Sequence, residues 1–584
     1  MPDRSVAKQD LSLMLEGLLP EQQALLARRL LKKKKAASVE ERAEPAIPIV
    51  ADRTNLPLSF GQQRLWFIDQ LEPNSPLYNL HLALSLEGPL DVPILAQALG
   101  QVIGRHEVLR TTFTVVQDQP VQVIGAVPAQ PLTIVDLTHC APQDQQAAIQ
   151  RHRSAERLQP FDLARGPLLR VALLKLSRQE HVLLVTLHHI IADRWSIAIL
   201  LREWIAIYTS LREGRPPAVA PLPIQYADFA AWQRRLLQGA TLDRQLGYWQ
   251  QQLAQAPVLL DLATDYPRPA VQSFRGNIAS IEIDARLADA IKRLSHQAGT
   301  TLFMTLLAAF AVLLSRYSRE EDLVIGSPIA NRTSKAIEPL IGFFINTLAL
   351  RVNVDQQQTF LELLRHVRNV TLDALTHQDV PFEQVVDALN IERSLSYNPL
   401  FQVMFDLRNA DVEQLDLAAV RVTTLDIETA EAQADSKIAK FDLTLTMVES
   451  AQGLSGDLEY NVDLFRPATI ERMIEHFQAL LAAMVAQPDR QLYRLSCITE
   501  AERQAVLLDW NATRREYDVE RSIHALFAAQ VAARPDAPAV VFAGEQLSYA
   551  ALDARAARLA QHLHTLGVGP ETRVGVCVER SPDM

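Results

Sequence analysis

Two apolar runs separated by four polar residues constrain the fold of this chain most. LLRVALLKL spans residues 168–176, HVLLVTLHH spans 181–189, and the connecting SRQE has the length and polarity of a hairpin turn. Continuous apolar runs of this length are typical of strands that are buried on both faces. SIAILLREWIAIYTSLREG (196–214) follows with helical periodicity. The pattern predicts a buried β-hairpin that leads into an amphipathic helix, and therefore a mixed α/β core.

The chain continues with the same mixture of helical and strand patterns. ADAIKRLSHQAG (288–299) and TLFMTLLAAFAVLLSRYS (301–318) are predicted helices, and DLVIGSPIA (322–330) is a predicted strand. The pattern loosens over residues 486–520, and a second α/β pattern begins at Ser522 and continues to the last residue. Because single cores rarely exceed about 300 residues, a chain of 584 residues is expected to hold several domains.

Composition excludes several classes of function. The net charge of −11 is spread along the chain, so we expect no general affinity for nucleic acid or for an anionic membrane. The three cysteines, Cys140, Cys497 and Cys577, are too few and too scattered for a disulfide framework or a zinc site. No segment has the pattern of a signal peptide or the roughly 20 apolar residues of a spanning helix. We therefore expect a cytoplasmic protein with no bound metal.

The N-terminal residues 1–48 form a segment of different character. LEGLLPEQQALLARRLLKKKK (15–35) combines Pro20, in a position typical of a first helical turn, with leucines at helical spacing and a run of lysines. An Ala/Glu/Pro-rich linker follows. Two interpretations remain open, a solvated leader helix or a docking element for a partner protein.

HHIIADRWS (188–196) places two histidines at the end of the second apolar run. Successive side chains of a strand point to opposite faces, so His188 and His189 are poorly placed to bind one metal ion together. The geometry favours one histidine facing a channel and the other facing the protein interior, with Asp193 stabilising the turn. Taken alone, this pattern is weak evidence for a catalytic site.

Seven segments in a fixed order resemble the condensation domain of non-ribosomal peptide synthetases. They are LSFGQQRLWF (58–67), RHEVLRTTF (105–113), HHIIADRWS (188–196), YADFAAWQ (226–233), IGFFINTLALR (341–351), HQDVPFEQVV (377–386) and RSLSYNPLFQVMF (393–405). Gly61 stands where alanine is usual. SIHALFAAQVAARPDAPAVVF (522–542) and LSYAALDARAARLAQHL (547–563) resemble the start of an adenylation domain. Neither its Gly/Ser/Thr-rich phosphate loop nor a carrier-protein serine motif is present, so we expect both substrates to arrive on other domains.

The resemblance implies an α/β fold with two chloramphenicol-acetyltransferase-like lobes in a V-shaped pseudo-dimer around a central tunnel, plus a partial α/β adenylation fragment. The expected division is a leader at 1–48, lobes at 49–225 and 226–485, a linker at 486–520 and the adenylation fragment at 521–584. Donor and acceptor carrier domains would supply phosphopantetheine arms, and the chain itself would bind no cofactor. The acceptor amine would attack the donor thioester and form an amide bond.

The resemblance also implies roles for individual residues. His189 is expected to orient the amine and to receive its proton, with His188 supporting the strand. Asp193 is expected to be structural and to pair with Arg332, as in related acyltransferases. Arg64 and Asn346 lie in motifs near the site and are expected to line the channel or to support it by packing and hydrogen bonds.

Arg194 departs from the glycine that usually follows the motif aspartate. One interpretation is an ordinary turn with the side chain in water. The favoured one is a guanidinium that projects into the tunnel and gates the acceptor, beside Trp195. Arginine at a position with positive φ would be strained.

Three alternatives to amide formation share the fold or the chain. A heterocyclization domain would replace the two histidines with aspartate at the start of the motif, whereas this sequence keeps His188 and His189. An epimerization domain is not usually followed directly by an adenylation domain. A catalytically silent platform would recruit carrier proteins or tailoring enzymes. The donor type remains open among L-peptidyl, D-peptidyl, fatty acyl and polyketide chains. The leader at Met1 suggests an upstream peptide synthetase or polyketide synthase as the donor's source.

Overall fold

A computed structural model describes residues 47–391, 394–409, 416–417, 420–425, 437–450, 453–517 and 519–584. The predicted leader helix lies outside these residues. The chain forms two compact units that divide after Thr499. The domain boundaries expected from sequence remain predictions.

The first unit contains two main sheets. Its strands are β1 (Leu56–Pro57), β2 (Asn79–Glu87), β3 (Thr111–Val116), β4 (Gln119–Ile124), β5 (Thr133–Asp136), β6 (Leu169–Lys175), β7 (Glu180–His188), β8 (Arg275–Asp284), β9 (Asp322–Ile329), β10 (Asn346–Asn353), β11 (Val403–Asn409), β12 (Asp416–Leu417), β13 (Val420–Thr424), β14 (Lys437–Ile438), β15 (Leu443–Ser450) and β16 (Gly453–Asn461). The sheet orders are β12-β13-β2-β7-β6-β5 and β10-β9-β11-β15-β16-β8-β14, with a smaller sheet β1-β4-β3. We call the halves built on the two main sheets the first and the second lobe.

Helices cover both sheets. They are α1 (Phe60–Leu71), α2 (Val92–Arg105), α3 (Pro142–Leu158), α4 (Arg194–Arg212), α5 (Tyr226–Leu236), α6 (Gly239–Gln252), α7 (Ala285–Gln297), α8 (Leu302–Ser318), α9 (Phe360–Thr376), α10 (Phe382–Ala388) and α11 (Pro467–Ala486), with 3-10 turns at Glu107–Arg110 and Leu492–Arg494. The mixed α/β class predicted from the sequence is confirmed.

The predicted hairpin is the centre of the first lobe. β6 and β7 pair antiparallel, and β7 also pairs with β2. Leu183 and Val185 of β7 face the core beneath α2 and α4, whereas Val182 and Leu184 face a second cluster beneath α3. Burial on both faces is the reason that the sequence of β7 is continuously apolar.

Two strands of the first lobe, β12 and β13, come from far along the chain. β13 pairs antiparallel with β2, Thr424 opposite Leu84 and Arg421 opposite Glu87. The amide of Leu425 extends the ladder by donating to the carbonyl of Ala83, at 3.0 Å. A segment that follows β11 of the second lobe therefore completes one edge of the first-lobe sheet.

The second lobe is organised around α8. Residues 304–315 of this helix are buried throughout, in contact with α7, α9 and α11. In the described part of the chain, no single helix is long and apolar enough to span a membrane. Only α7 and α8 taken together, bent by 105° at the break between them, pass that test of length and composition.

The second unit is smaller. It contains α12 (Glu500–Gln504), a π-helical turn at Ala505–Asp509, α13 (Ile523–Ala533), the hairpin β17 (Pro538–Phe542) and β18 (Glu545–Ser548), and α14 (Tyr549–Thr565). It is mixed α/β, as the sequence predicts.

Candidate active site

The HHIIADRWS segment forms the tight connection between β7 and α4. β7 ends at His188, and the amide of His189 donates to the carbonyl of Tyr78 at 2.8 Å. Ile190, Ile191 and Ala192 are fully buried in the core of the first lobe, so they anchor the turn. The imidazole of His189 is half-buried and meets the ring of Phe343 edge-on, with a centroid distance of 5.0 Å. The turn thus holds His189 against Phe343, which lies between β9 and β10 of the second lobe.

A hydrogen bond selects the tautomer of His189. Nδ1 lies 2.8 Å from the carbonyl oxygen of Ala192, and because a carbonyl only accepts, Nδ1 carries the proton. The lone pair of the neutral ring is therefore on Nε2. Burial lowers the pKa of His189 to about 4, helped by the positive charge of Lys440 and opposed by the carboxylate of Asp193. At neutral pH the ring is an uncharged hydrogen-bond acceptor at Nε2.

His188 faces the interior. Its side chain is 3% exposed and lies near Tyr78 and Phe161, with ring centroids 6.4 Å and 6.0 Å away. The amide of Ile190 donates to its Nδ1 at 3.2 Å. Burial lowers the pKa of His188 to about 3, so it is neutral. The two histidines have different surroundings, and together they form no metal site.

Asp193 is the N-cap of α4 and is fully buried. Its Oδ1 accepts from the amide and the hydroxyl of Ser196, at 2.8 and 2.7 Å. Its Oδ2 accepts from the amide of Phe344, at 3.2 Å. A carboxylate at this position accepts hydrogen bonds from the N-terminal amides of the helix, and its negative charge interacts favourably with the helix dipole. These donors lie at the start of α4 and in the IGFF motif, so the carboxylate organises the backbone around the turn.

Arg332 completes the Asp193 network from the second lobe. Its Nη2 lies 3.2 Å from Asp193 Oδ1, and its Nη1 donates to the carbonyls of Ile337 and Leu340 at 2.8 and 2.7 Å. The guanidinium carbon lies 4.1 Å from the centre of the Phe344 ring. The Arg332 side chain is only 3% exposed, and burial lowers its pKa, an effect that Asp193 opposes. The pair joins the two lobes beside the turn between β7 and α4.

Tyr226 was not predicted as a site residue, yet it supports the same region. Its hydroxyl donates to the carbonyl of Phe343 at 2.6 Å and lies 2.8 Å from the hydroxyl of Ser59. A Cβ on Gly342 would clash with the Tyr226 ring, so only glycine fits there. The YADF and IGFF motifs were visible in the sequence, but nothing in their spacing indicated that they touch.

Arg64 and Asn346 have different surroundings. Arg64 on α1 forms an ion pair with Glu383 of α10, at 2.8 Å, and lines a cavity of about 920 Å³ between these helices. Asn346 donates to the carbonyls of Gln378 and Val380, at 2.8 and 2.7 Å. Arg64 therefore lines this cavity, and its place in a substrate channel remains a prediction, whereas Asn346 organises the loop before α10.

Arg194 is the first residue of α4 and has no positive φ. It and Trp195 are exposed, and Arg332 lies 5.8 Å from the Trp195 ring. The conformation that would require glycine after Asp193 does not occur here. The gating role of Arg194 remains a prediction.

Lys440 and Glu459 were missed by the sequence analysis. Lys440 Nζ lies 4.2 Å from the ring centre of Tyr78, whose backbone carbonyl accepts from the amide of His189. Burial and the charge of Arg64 lower the pKa of Lys440 to about 8. Burial raises the pKa of Glu459 to about 7, opposed by Lys440. Lys440 lies in a short segment before β15, and no sequence motif distinguishes it.

The described residues contain no cluster of three or more histidine, cysteine or acidic side chains that could hold a metal ion. The site instead offers a neutral imidazole acceptor, a buried structural ion pair and a lysine. This set is suited to orienting an amine and accepting its proton.

A sequence-family model described as a condensation domain matches residues 52–507. The chain belongs to the condensation domain family. A second model, described as an AMP-binding enzyme, matches residues 527–584, which are the start of an AMP-binding domain. Both family assignments made from the sequence are confirmed.

This condensation domain has curated relatives among peptide synthetases. It is 45% identical over 540 residues to one of the linear gramicidin synthase proteins of Brevibacillus parabrevis, covering 92% of this chain and 7% of the relative. It is 40% identical over 578 residues to the phosphinothricin tripeptide synthetase PhsC of Streptomyces viridochromogenes, covering 98% of this chain and 52% of the relative. The chain thus spans a small part of the first and about half of the second.

Solved structures share the architecture. The X-domain from teicoplanin biosynthesis has a TM-score of 0.69 at 32% identity, covering 77% of this chain and all of that one. Holo-AB3403, a four-domain non-ribosomal peptide synthetase bound to AMP and glycine, has a TM-score of 0.72 at 26% identity and covers 88% of this chain and 39% of that one. The fold expected from the resemblance is confirmed.

Proposed function

We propose that the first unit catalyses amide-bond formation in a non-ribosomal or hybrid polyketide-peptide synthetase. The α-amine of a carrier-bound aminoacyl group attacks the thioester carbonyl of a carrier-bound acyl or peptidyl group. The C–N bond forms, the C–S bond breaks, and the thiol of the donor arm leaves. The growing chain passes to the acceptor carrier.

The fixed tautomer of His189 is the observation that carries this proposal. Nδ1–H is used by the Ala192 carbonyl, which leaves the Nε2 lone pair for the amine. An α-amine has a pKa near 8, so a useful fraction is already neutral at cellular pH, and a thioester is already activated. His189 therefore needs only to orient the amine and take its proton as the tetrahedral intermediate forms, a contribution of about 10² to 10⁴-fold.

The proposed partners are a donor and an acceptor carrier domain. Their phosphopantetheine arms deliver both substrates, so no cofactor is assigned to the chain itself. The same proposal includes two finer predictions. Residues 1–48 form a leader that docks to an upstream synthetase protein, and the protein is located in the cytoplasm. The similarity to peptide synthetases supports the carriers as partners.

The test is a transfer assay between two loaded carrier proteins with His189→Ala. We expect a loss of at least about 100-fold in amide formation, because the acceptor at Nε2 is removed. The circular dichroism should stay unchanged, because the buried residues 190–192 still anchor the turn after the loss of the Ala192 hydrogen bond and the Phe343 contact. His139→Ala is the matched control, since His139 is an exposed histidine of the same lobe. Near wild-type turnover by His189→Ala would contradict the assignment.

A second candidate function is a binding platform without catalysis. It is favoured by the similarity to a structure of the X-domain in complex with OxyB, with a TM-score of 0.69 at 31% identity. A wild-type chain that transfers nothing between any loaded carriers, yet binds a protein partner, would support this candidate.

A further inference from the structure

Gly61 on α1 lies directly against the ring of Phe343. A Cβ on Gly61 would be 2.8 Å from both Cδ1 and Cε1 of that ring. Carbon atoms in ordinary contact are about 3.5–4.0 Å apart. No side chain, not even a methyl group, therefore fits between α1 and the Phe343 ring unless one of the two moves.

The same Phe343 ring is the aromatic neighbour of His189. Its centre lies 5.0 Å from the centre of the imidazole, and the two ring planes are 77° apart. The hydrogen bond from Nδ1 to the carbonyl of Ala192 fixes one atom of the imidazole, but the ring can still tilt about that bond. The edge-on contact is at a distance where aromatic pairs attract each other. It therefore restrains the tilt and, with it, the direction of Nε2.

The backbones on both sides of the contact between α1 and Phe343 are held in place. The hydroxyl of Tyr226 donates to the carbonyl of Phe343 at 2.6 Å and lies 2.8 Å from the hydroxyl of Ser59, the N-cap of α1. The next amide, that of Phe344, donates to Asp193 at 3.2 Å. A larger residue at position 61 would therefore displace the Phe343 ring rather than either backbone.

We propose that Gly61 is a positioning residue, whose missing side chain leaves the space from which Phe343 orients the imidazole of His189. With a methyl group at position 61, the separation of 2.8 Å must grow to at least about 3.5 Å, so the nearest ring atoms move by about 0.7 Å. A displacement of about 1 Å at a reacting group can cost about 10²-fold in rate. The effect on the rate rests on the proposed function, whereas the effect on the imidazole does not.

The experiment compares Gly61→Ala with Gly247→Ala in the full chain, in the transfer assay between loaded carriers. Gly247 lies inside α6, and a Cβ there would meet no atom within 4 Å, so it is the matched helical control. We expect Gly61→Ala to lower kcat by at least about 10-fold with an unchanged KM for the acceptor carrier, because only the orientation of the imidazole changes. Gly247→Ala should keep the wild-type values.

NMR of the full chain with ¹³C-labelled histidine observes the imidazole directly, with His189→Gln assigning the signal. The ring current of Phe343 contributes to the chemical shifts of the His189 ring, whose centre is 5.0 Å away. The His189 signal should therefore move in Gly61→Ala and stay in place in Gly247→Ala. A mere loss of stability would not move this signal in the folded protein.

A double-variant cycle tests whether Gly61 acts through Phe343. Phe343→Val removes Cδ1 and Cε1, the two atoms that a side chain at position 61 would meet. Alone, it should slow amide formation, because the imidazole loses its aromatic support. Adding Gly61→Ala to it should slow the reaction by less than about two-fold more, because the clash no longer exists. If Gly61→Ala alone does not fold, the double variant should fold as well as Phe343→Val does.

Three results overturn the inference: wild-type kcat in Gly61→Ala, an unchanged His189 signal in that variant, or an undiminished effect of Gly61→Ala in the Phe343→Val background. A double variant that does not fold, while Phe343→Val folds, overturns it as well. If the wild type transfers nothing between carriers, the proposed function fails and the His189 signal alone decides the inference.

Discussion

Breaking the ion pair between Asp193 and Arg332 should destabilise the first unit strongly. Asp193 is fully buried and the Arg332 side chain is 3% exposed, so each charge depends on its partner. Removing one member of a buried pair costs about 3–5 kcal/mol, because the other charge is left in the interior.

The contacts that remain set the expected size within that range. In Arg332→Met, Asp193 keeps the donors of Ser196 and Phe344, at 2.7–3.2 Å, so we expect a loss of about 3 kcal/mol in the free energy of unfolding. In Asp193→Asn, Arg332 keeps its carbonyl acceptors, but the helix cap is weakened, and we expect about 3–4 kcal/mol.

The decisive quantity is the double variant. Because both single changes destroy the same interaction, Asp193→Asn with Arg332→Met should cost about 1–3 kcal/mol less than the sum of the two. Urea unfolding followed by tryptophan fluorescence and circular dichroism measures all four proteins. Arg165→Met is the control, since its pair with Asp162 is exposed, and it should change stability by less than about 1 kcal/mol. Additive costs would refute the coupling.

Two further predictions concern the acceptor and the leader. Arg194→Gly should change the unfolding free energy by no more than about 1 kcal/mol, because Arg194 has an ordinary helical backbone. The same substitution should widen the range of amines that are accepted in a series of loaded acceptor carriers. Unchanged rates across the series would show that Arg194 does not select the acceptor. Deleting residues 1–45 should leave transfer from a concentrated isolated donor carrier almost unchanged. It should weaken transfer from an intact upstream synthetase, because docking raises the effective concentration of the donor. Equal transfer from that synthetase with and without the segment would favour a solvated leader.

The parts of the fold that depend on local pattern could be predicted from the sequence. The hairpin of β6 and β7 and the helix after it follow from apolar runs and helical spacing, and each was found within two residues of its expected bounds. The turn between β7 and α4 could be predicted as well, because residues 190–192 are apolar and are buried in the core. Their burial fixes the position of His189.

Contacts between distant segments could not be predicted from pattern. Asp193 and Arg332 lie 139 residues apart, and only the family resemblance suggested that they pair. Lys440 carries no such signal, because a lysine before a strand is ordinarily solvated. The backbone conformation of Arg194 could not be predicted either. A residue that follows a polar helix cap can be left-handed or can be the first residue of the helix, and the sequence does not distinguish the two.

The strand β13 has a consequence for how the protein is made and engineered. Leu84 of β2 finds its partner Thr424 only after the whole intervening chain has been synthesised, roughly 15–70 s later at 5–20 residues per second. During that time the edge of β2 is a row of unpaired amides and carbonyls, open to association with other chains. In a chimera that takes only the first lobe from another protein, the edge of β2 would pair with a β13 strand of different origin. A segment that is exchanged between proteins must therefore include residues 420–425 together with β2.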